Sequence, residues 1–540
     1  MIIFKIMRNL SKWTHLSLTI LTVAVFLIFL IPNSQASENI AMVSMFEPDE
    51  GIMIPVIQRM ITHKGNLKHT LIYFVLYRYY YYGFPFFASS ALVILPFQWL
   101  NQMGNIQWIM ISLRQLISVL PMLLALLLLV YIHDRFKTYR SVLLLVFLLL
   151  VPAVIRNGFW WHPDGIVLLL SSVVLYFLYS DQHQLGWHFL TAGFFCGILT
   201  ATKLVGGYFF LAVGLAIIWS LAIKQVTWKK AIGKSFAFIA IMAAAFILSN
   251  PFLLIQADRL AYITTFQKQT ELLSAGYNIV YDRGLRAAWP VMRQFYGEAI
   301  FIIITLGITI WNIISQKTRF LHALIMAWFL PLTISVLTFS HFKYQYWLPV
   351  ALPLFCNWVT IFPDQFELKS KTPSIGQVIK TILMVIFLVQ LVLFGIQSTQ
   401  MLIKRTTRKA NSAEITFYNQ AIGLLEPIGE SPVYAYYDYR LYLPAKQSWI
   451  SETTFGLLDY DLISARGYDV LFLLQQRIWD YLNPNAVGVD PESFAQSQAF
   501  YQDANKGGLA GYHLLYRNET ALLFIRQDVC MRYFEADTCQ

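Results

Sequence analysis

Long apolar segments constrain this chain more than any other feature. The first runs from about residue 14 to 31, and others follow at about 109–131, 141–156, 164–180, 188–203, 206–222, 232–254, 297–315, 320–339, 343–361 and 379–398. A helix of about 20 apolar residues crosses a bilayer, and lipid offers the backbone no hydrogen bonds, so the segments predict about eleven transmembrane helices. Only 13% of the residues are charged, well below the fraction typical of soluble domains. The chain is therefore predicted to be an α-helical polytopic membrane protein.

The distribution of Lys and Arg predicts the topology. Lys5, Arg8 and Lys12 precede the first apolar segment, and basic residues recur in alternate short loops at 133–140, 224–230, 317–319 and 369–371. The positive-inside bias places the N-terminus and these loops in the cytoplasm. The formal net charge of +11 then reflects membrane topology and gives no reason to expect nucleic acid as a partner. We expect a multi-pass protein of a bacterial inner or plasma membrane, in contact with membrane lipids.

The composition changes near residue 400, which predicts two domains. Residues 1–398 form the transmembrane domain, with a first outer loop at about 33–108 that carries interfacial helices and a large outer loop at about 255–296. Residues 399–540 contain strand-like runs at 432–436 and 469–474, which predict a soluble α/β domain outside the cytoplasm. Cys530 and Cys539 lie in this domain, where an oxidising compartment favours a disulfide and two free thiols are the alternative.

Ionisable residues collect in the loops predicted to share the outer face. They are Glu47, Asp49, Glu50, His162, Asp164, Lys203, Arg283 and Arg286. A carboxylate can take the proton from an acceptor hydroxyl as a sugar carbon is attacked, and Lys or Arg can hold a departing lipid phosphate. Sugar transfer from a phospholipid needs residues of these types. Each residue also has a structural alternative, since Asp164 can cap a helix and Lys203 can snorkel to the interface.

A divalent cation is a further alternative for this face. Carboxylate and imidazole groups are ligands for such ions, so His162 and Glu47 are candidates to bind or surround a metal. The residues do not decide between a metal-dependent and a metal-free site, and the cofactor is left open.

Several short motifs resemble the GT-C glycosyltransferases, in particular the glycosyltransferase family 39-like branch with protein O-mannosyltransferases and bacterial aminoarabinose transferases. The motifs are Pro48-Asp49-Glu50 after the first span, Gly197 to Lys203, and 342–349 at the entry to a late span. The resemblance covers about residues 10–360. It implies a GT-C-like membrane domain in which Asp49 is the base, Glu50 its neighbour in structure or acceptor binding, Asp164 a second acid, and Lys203 near the donor phosphate.

The chain departs from the family pattern at one phosphate-binding position. Some relatives carry a lysine just before the proline that matches Pro85, whereas this chain has Phe84. A different cation would have to bind the phosphate, and Arg78, Arg283 and Arg286 are the candidates. We expect the substrate to be lined by Tyr82, Lys343 and Tyr344.

The predicted activity is an inverting transfer, mannosyltransferase-like, of a hexose or pentose from a polyprenyl-phosphate donor to a protein, lipid or glycan acceptor. A transporter or lipid flippase is the alternative from another class. Transporters place ionisable groups in mid-bilayer and often have paired halves, whereas this sequence has few charges within its spans away from their ends and no two-half repeat. A non-catalytic GT-C relative is a third possibility, against which the presence of Asp49 and Asp164 argues.

Overall fold

The structure is a computed structural model that describes residues 2–62, 65–362, 375–535 and 539. The basic residues predicted in the loop at 369–371 lie outside these ranges. A helical membrane domain occupies most of the chain, and a five-stranded sheet follows it.

Helices in the first outer loop cover one end of the membrane domain. The chain enters it through α1 (Ile2–Ser34), and the loop then forms α2 (Ile40–Phe46), α3 (Pro48–Ile61), α4 (Leu67–Val75) and α5 (Phe84–Trp99). Asn39 and Asn66 cap α2 and α4 by accepting hydrogen bonds from the backbone N–H groups of Met42 and His69. Pro48 occupies the start of α3, where the missing N–H is not needed. The predicted interfacial loop is therefore a set of short helices, two of which are capped by asparagine side chains.

The rest of the membrane domain is an almost unbroken succession of helices. They are α6 (Ile106–Leu113), a π-helical turn at Arg114–Val119, α7 (Leu120–Asp134), α8 (Tyr139–Leu150), α9 (Pro152–Asn157), α10 (Asp164–Ser180), α11 (Trp187–Thr202), α12 (Phe210–Ala222), α13 (Trp228–Leu248), α14 (Gln256–Ala275), α15 (Gly284–Tyr296), α16 (Ala299–Ser315), α17 (Arg319–Leu337), α18 (Tyr344–Phe355) and α19 (Ile375–Thr406), with 3-10 turns at Leu204–Phe209, Pro251–Leu254 and Cys356–Thr360.

Six helical stretches of the described chain are long and apolar enough to cross a bilayer. These are Lys12–Ser34, Ile106–Asp134, Leu204–Ala222, Trp228–Leu248, Arg319–Leu337 and Ile375–Thr406. The pair α15 and α16, bent by 84°, adds a seventh if it is counted as one span, and α5, α8, α10 and α11 are shorter apolar helices. An integral multi-pass protein is confirmed, while the count of about eleven spans stays a prediction.

The last membrane helix leads directly into the C-terminal domain. Because α19 continues to Thr406, the predicted domain boundary at 398 falls within this helix. The domain consists of α20 (Ala413–Leu424), a 3-10 turn at Glu426–Ile428, β1 (Val433–Tyr437), β2 (Trp449–Glu452), α21 (Tyr460–Arg466), β3 (Val470–Leu474), α22 (Gln475–Leu482), α23 (Pro491–Lys506), β4 (Tyr512–Arg517), β5 (Ala521–Arg526) and α24 (Gln527–Tyr533).

The sheet has the order β2-β1-β3-β5-β4 and is covered on both faces. β1 pairs in parallel with β2 and β3, whereas β5 pairs antiparallel with β3 and β4. Alternate residues face opposite sides, so Val470 and Phe472 pack with α20 and α24 while Leu471 and Leu473 pack with α21–α23. Cys530 and Cys539 are joined by a disulfide, with their Cα atoms 5.9 Å apart. The structure therefore agrees with the predicted α/β character of the tail.

Candidate active site

Glu50 connects the first outer loop to two other segments. It forms a buried ion pair with Arg114 of the π-helical turn and accepts a hydrogen bond from the loop before α10. Arg114 donates from Nε to Glu50 at 3.0 Å and from an Nη to the other carboxylate oxygen at 2.5 Å. The backbone N–H of Trp161 donates to Glu50 at 2.6 Å, and Arg114 also donates to the carbonyl of Asn33. Glu50 is 1% exposed, so its carboxylate connects α3, the π-helical turn and the 158–163 loop. Glu50 therefore lies in a structural position beside the site.

A chain of four polar side chains crosses the site. The hydroxyl of Tyr82 lies 2.7 Å from Nε2 of His162, whose Nδ1 contacts one oxygen of Asp164. The other Asp164 oxygen accepts a hydrogen bond from Lys203 at 2.7 Å. His162 and Asp164 are buried, whereas Lys203 is 19% exposed, so the chain runs from the interior to an accessible ammonium group.

Two glycines allow these segments to approach. Gly83 donates its N–H to the carbonyl of Thr202, and a Cβ at Gly83 would lie 1.6 Å from the carbonyl oxygen of Ala201. A Cβ at Gly165 would lie 2.5 Å from the carbonyl oxygen of Ser118. The first contact brings Tyr82 next to Lys203 at the end of α11. The second seats the N-terminus of α10, where Asp164 in the first turn also complements the helix dipole.

Asp49 is partly exposed at the N-terminus of α3 and forms no hydrogen bond or ion pair in the described part of the chain. Its charge nevertheless acts on His162, Lys343 and the tyrosines Tyr79, Tyr82 and Tyr346. Burial lowers the pKa of His162 below its usual 6.5, although the charges of Asp164 and Asp49 oppose this shift. Asp49 therefore lies close enough to the polar chain to interact electrostatically with His162 and Tyr82.

The segment leading into α18 forms another wall of the site. Lys203 lies 5.1 Å from the ring centroid of Tyr346, and Lys343 lies 5.8 Å from that of Tyr277. The backbone carbonyl of Tyr344 accepts a hydrogen bond from Tyr296, and Tyr344 interacts electrostatically with Asp164. Two cations and several aromatic rings thus surround the carboxylates, with Lys343 and Tyr344 near the positions expected from the sequence.

Glu47 does not join His162 as a candidate metal ligand. Its carboxylate is 6% exposed and contacts Arg156 at 3.3 Å, Arg405 at 2.8 Å and Arg408 at 2.9 Å. Three guanidinium groups neutralise this carboxylate and make it a poor ligand for a cation. Among the described residues, no group of three or more His, Cys, Asp or Glu side chains could hold a metal ion.

The arginines predicted to bind phosphate lie at the periphery. Arg78 is exposed and interacts electrostatically with Tyr80, while Arg283 and Arg286 are exposed at the start of α15. No contact between these three side chains and Asp49 or Asp164 occurs within the described ranges. The cations that the structure brings to the site are Lys203 and Lys343.

Sequence reasoning gave no role to several residues that build the site. The position of Arg114 could have been used, because an arginine within an apolar span usually has a charged or polar partner. The contribution of Arg156, Arg405 and Arg408 to the environment of Glu47 requires the tertiary structure, since Arg156 lies on α9, Arg405 on α19 and Arg408 in the turn that follows α19. Tyrosine is common at membrane interfaces, so the sequence did not indicate that Tyr277 and Tyr346 would lie beside Lys343 and Lys203.

The architecture is shared with solved membrane proteins. The structure of ArnT from Cupriavidus metallidurans bound to undecaprenyl phosphate is similar over 94% of this chain and 97% of that chain, with a TM-score of 0.52 and 11% identity. The apo oligosaccharyltransferase of Archaeoglobus fulgidus is similar over 93% of this chain and 80% of its own, with a TM-score of 0.56 and 10% identity. AglB from Archaeoglobus fulgidus, in complex with an inhibitory peptide and a dolichol-phosphate, is similar over 94% and 80%, with a TM-score of 0.51 and 10% identity.

Sequence comparison adds no closer relationship, because no protein-family model and no curated protein sequence matches the chain. At 10–11% identity the likeness to these structures concerns the fold, and it extends over both the membrane domain and the C-terminal domain. The predicted resemblance is confirmed at the level of the fold, since the chain has the fold of these ArnT and AglB structures.

Proposed function

We propose that this protein is a membrane glycosyltransferase that transfers a sugar from a polyprenyl-phosphate-linked donor to an acceptor. The observation that carries the proposal is a pair of carboxylates with different surroundings. Asp49 is partly exposed and has no hydrogen bond or ion pair among the described residues, whereas Asp164 is buried and accepts a hydrogen bond from Lys203. Two of the similar structures contain a polyprenyl phosphate, undecaprenyl phosphate in ArnT and dolichol-phosphate in AglB, which supports a lipid donor of this class.

The proposed reaction is a single displacement. The acceptor oxygen or nitrogen attacks the anomeric carbon, Asp49 takes the proton of the nucleophile, and the bond from the anomeric carbon to the phosphate oxygen breaks. The bonding electron pair stays on the phosphate oxygen, so the polyprenyl phosphate is the leaving group. Because one nucleophile displaces one leaving group, the configuration at the anomeric carbon is inverted.

The developing charge on the phosphate needs cations that are already in position. Lys203 is accessible and Lys343 lies near Asp49, so both are suited to this role. The chain from Tyr82 through His162 to Asp164 orients the ammonium group of Lys203. Arg78, Arg283 and Arg286 remain predicted contacts of the donor, and the hexose- or mannose-like identity of the sugar remains a prediction from the resemblance.

The Asp49→Asn variant tests the proposal. In membranes supplied with polyprenyl-phosphate sugars, we expect it to lower the transfer rate by about 100-fold or more, as loss of a general base does. Glu271→Gln, which removes an exposed carboxylate on α14, is the matched control and should retain the rate of the unmodified protein. Near-normal transfer by Asp49→Asn would remove Asp49 from the mechanism, and retention of the anomeric configuration in the product would exclude a single displacement.

A further inference from the structure

A groove lies between α1 and α7 at the end of the membrane domain remote from the candidate site. Arg114 and Asp134 are separated by about 30 Å along their continuous helix, which is the thickness of the hydrocarbon core. The groove encloses about 400 Å³, within the size range of ligand cavities. Its lining includes His15, Leu18, Thr19, Leu127, Tyr131 and Phe136.

The turn after α7 closes one end of the groove. Arg135 (φ 54°) and Phe136 (φ 58°) both adopt the left-handed conformation, which side chains with a Cβ seldom adopt. This turn places the Phe136 ring 5.7 Å from His15 and 5.3 Å from Tyr131, measured between ring centroids. It also holds the Arg135 guanidinium 4.8 Å from the Tyr131 ring centroid. An aromatic wall with a cation above it therefore ends the groove.

Basic and interfacial side chains surround this end. Lys12 and Trp13 are exposed one turn before His15 on α1, and Lys137 is exposed in the turn. Tryptophan is enriched at the headgroup level, so Trp13 indicates the depth of the interface. The neighbouring acid, Asp134, already accepts hydrogen bonds from the backbone and hydroxyl of Thr138 and from Ser141. Among the described residues, Lys12, Arg135 and Lys137 form no ion pair with Asp134 or another acid, so their charges are available to an anion.

We propose that this groove is a binding site for an anionic phospholipid. An acyl chain lies along the apolar side chains of α1 and α7, and the phosphate is held by Lys12, Arg135 and Lys137. Basic clusters beside membrane helices attract anionic headgroups, and an apolar groove below the cluster adds a site for the chain. The site is separate from the proposed transfer reaction, which takes place on the other face of the membrane domain.

Lipid titration of the purified full-length protein in a neutral detergent, followed by native mass spectrometry, tests the proposal. The probes are phosphatidylglycerol and phosphatidylcholine with identical acyl chains. We expect phosphatidylglycerol to bind at least about tenfold more tightly, and Arg135→Asn/Lys137→Gln to abolish most of this preference. Asparagine is chosen at position 135 because it tolerates the left-handed conformation better than most residues.

Two further variants make the result specific. Lys229→Gln/Lys230→Gln removes two exposed charges from the same face and should keep the preference for phosphatidylglycerol. Thr19→Trp fills the groove, leaves its charges in place, and should remove the tightly bound lipid. Equal affinity for the two lipids, an equal loss in the Lys229/Lys230 control, or undiminished binding by Thr19→Trp would each overturn the proposal.

Discussion

At the residue scale, Asp49 and Glu50 are neighbours in sequence but have different surroundings. Glu50 accepts hydrogen bonds from Arg114 and from the backbone of Trp161, whereas Asp49 is partly exposed to the site. Removing one partner of a buried ion pair leaves the other charge without compensation. The two carboxylates are therefore expected to respond differently to the same chemical change.

For Glu50→Gln we predict a loss of stability of about 3–5 kcal/mol, because Arg114 is left as an unpaired buried cation. The properly folded fraction should keep most of its transfer rate. Thermal unfolding in detergent and the rate per folded molecule, measured beside Asp49→Asn, separate the two effects. A folded Glu50→Gln variant with a rate as low as that of Asp49→Asn would assign Glu50 to the reaction.

Glu47 makes a pH-dependent contribution to stability. Burial would raise the pKa of this carboxyl, but the charges of Arg156, Arg405 and Arg408 outweigh it and hold the pKa far below its usual 4.5. A depressed folded-state pKa stabilises the folded protein above the unfolded-state pKa, and this stabilisation is lost as the pH falls towards the folded value.

The Glu47→Gln variant is predicted to unfold at a lower temperature than the unmodified protein at pH 6–7. The difference in Tm should narrow as the pH is lowered below about 4.5, because the unmodified carboxyl then loses its advantage. Other carboxyl groups titrate in both proteins, so the difference isolates Glu47. A Tm difference that is constant between pH 7 and 3 would contradict the assignment.

At the scale of elements, the apolar segments predicted most of the membrane helices, because helix formation in lipid depends on local hydrophobicity. The strand at 433–437 and the one at 470–474 were likewise predicted from local pattern. The contacts of Glu47 with arginines on α9, on α19 and in the turn after α19 were not predicted, since they join residues separated by up to 361 positions. Sequence reasoning selected the candidate carboxylates, while the packing was needed to distinguish the buried, paired Glu47 and Glu50 from the partly exposed Asp49.

The close approach of α5 to α11 gives a prediction at this scale. Gly83→Ala would place a methyl group against the backbone of Ala201, so α11 and its C-terminal Lys203 must move. We expect a loss of about 1–3 kcal/mol, as overpacking produces, together with a reduced transfer rate. Gly104→Ala, in the same outer loop but with open space around its Cβ, is the control for thermal stability and activity. Normal stability and rate in Gly83→Ala would show that this contact can relax.

At the scale of the whole molecule, the segment after α14 connects the C-terminal domain to the site. The backbones of Asn278 and Val280 pair with residues 487–489, and the Asn278 side chain donates to the carbonyl of Phe455 and to Tyr481. Arg477 holds the carbonyls of Thr454 and Gly456 from the other side. Three successive carbonyls are thus fixed by groups from two domains. Since Tyr277 lies beside Lys343, the position of the C-terminal domain bears directly on one wall of the site.

Asn278→Ala removes two side-chain hydrogen bonds from this junction and leaves the backbone pairing with 487–489 in place. If these two hydrogen bonds together contribute about 1 kcal/mol, their loss makes local opening of residues 453–457 more favourable by that amount. We therefore expect amide hydrogen exchange in these residues to become roughly fivefold faster. Asn485→Ala, at an exposed position of the same domain, should leave this exchange unchanged. Because Arg477 still holds Thr454 and Gly456, faster exchange should be confined to the 453–457 loop and its partners on the segment after α14. Acceleration throughout the C-terminal domain would instead mean that Asn278 stabilises the domain itself, and no acceleration would mean that Arg477 alone fixes the loop.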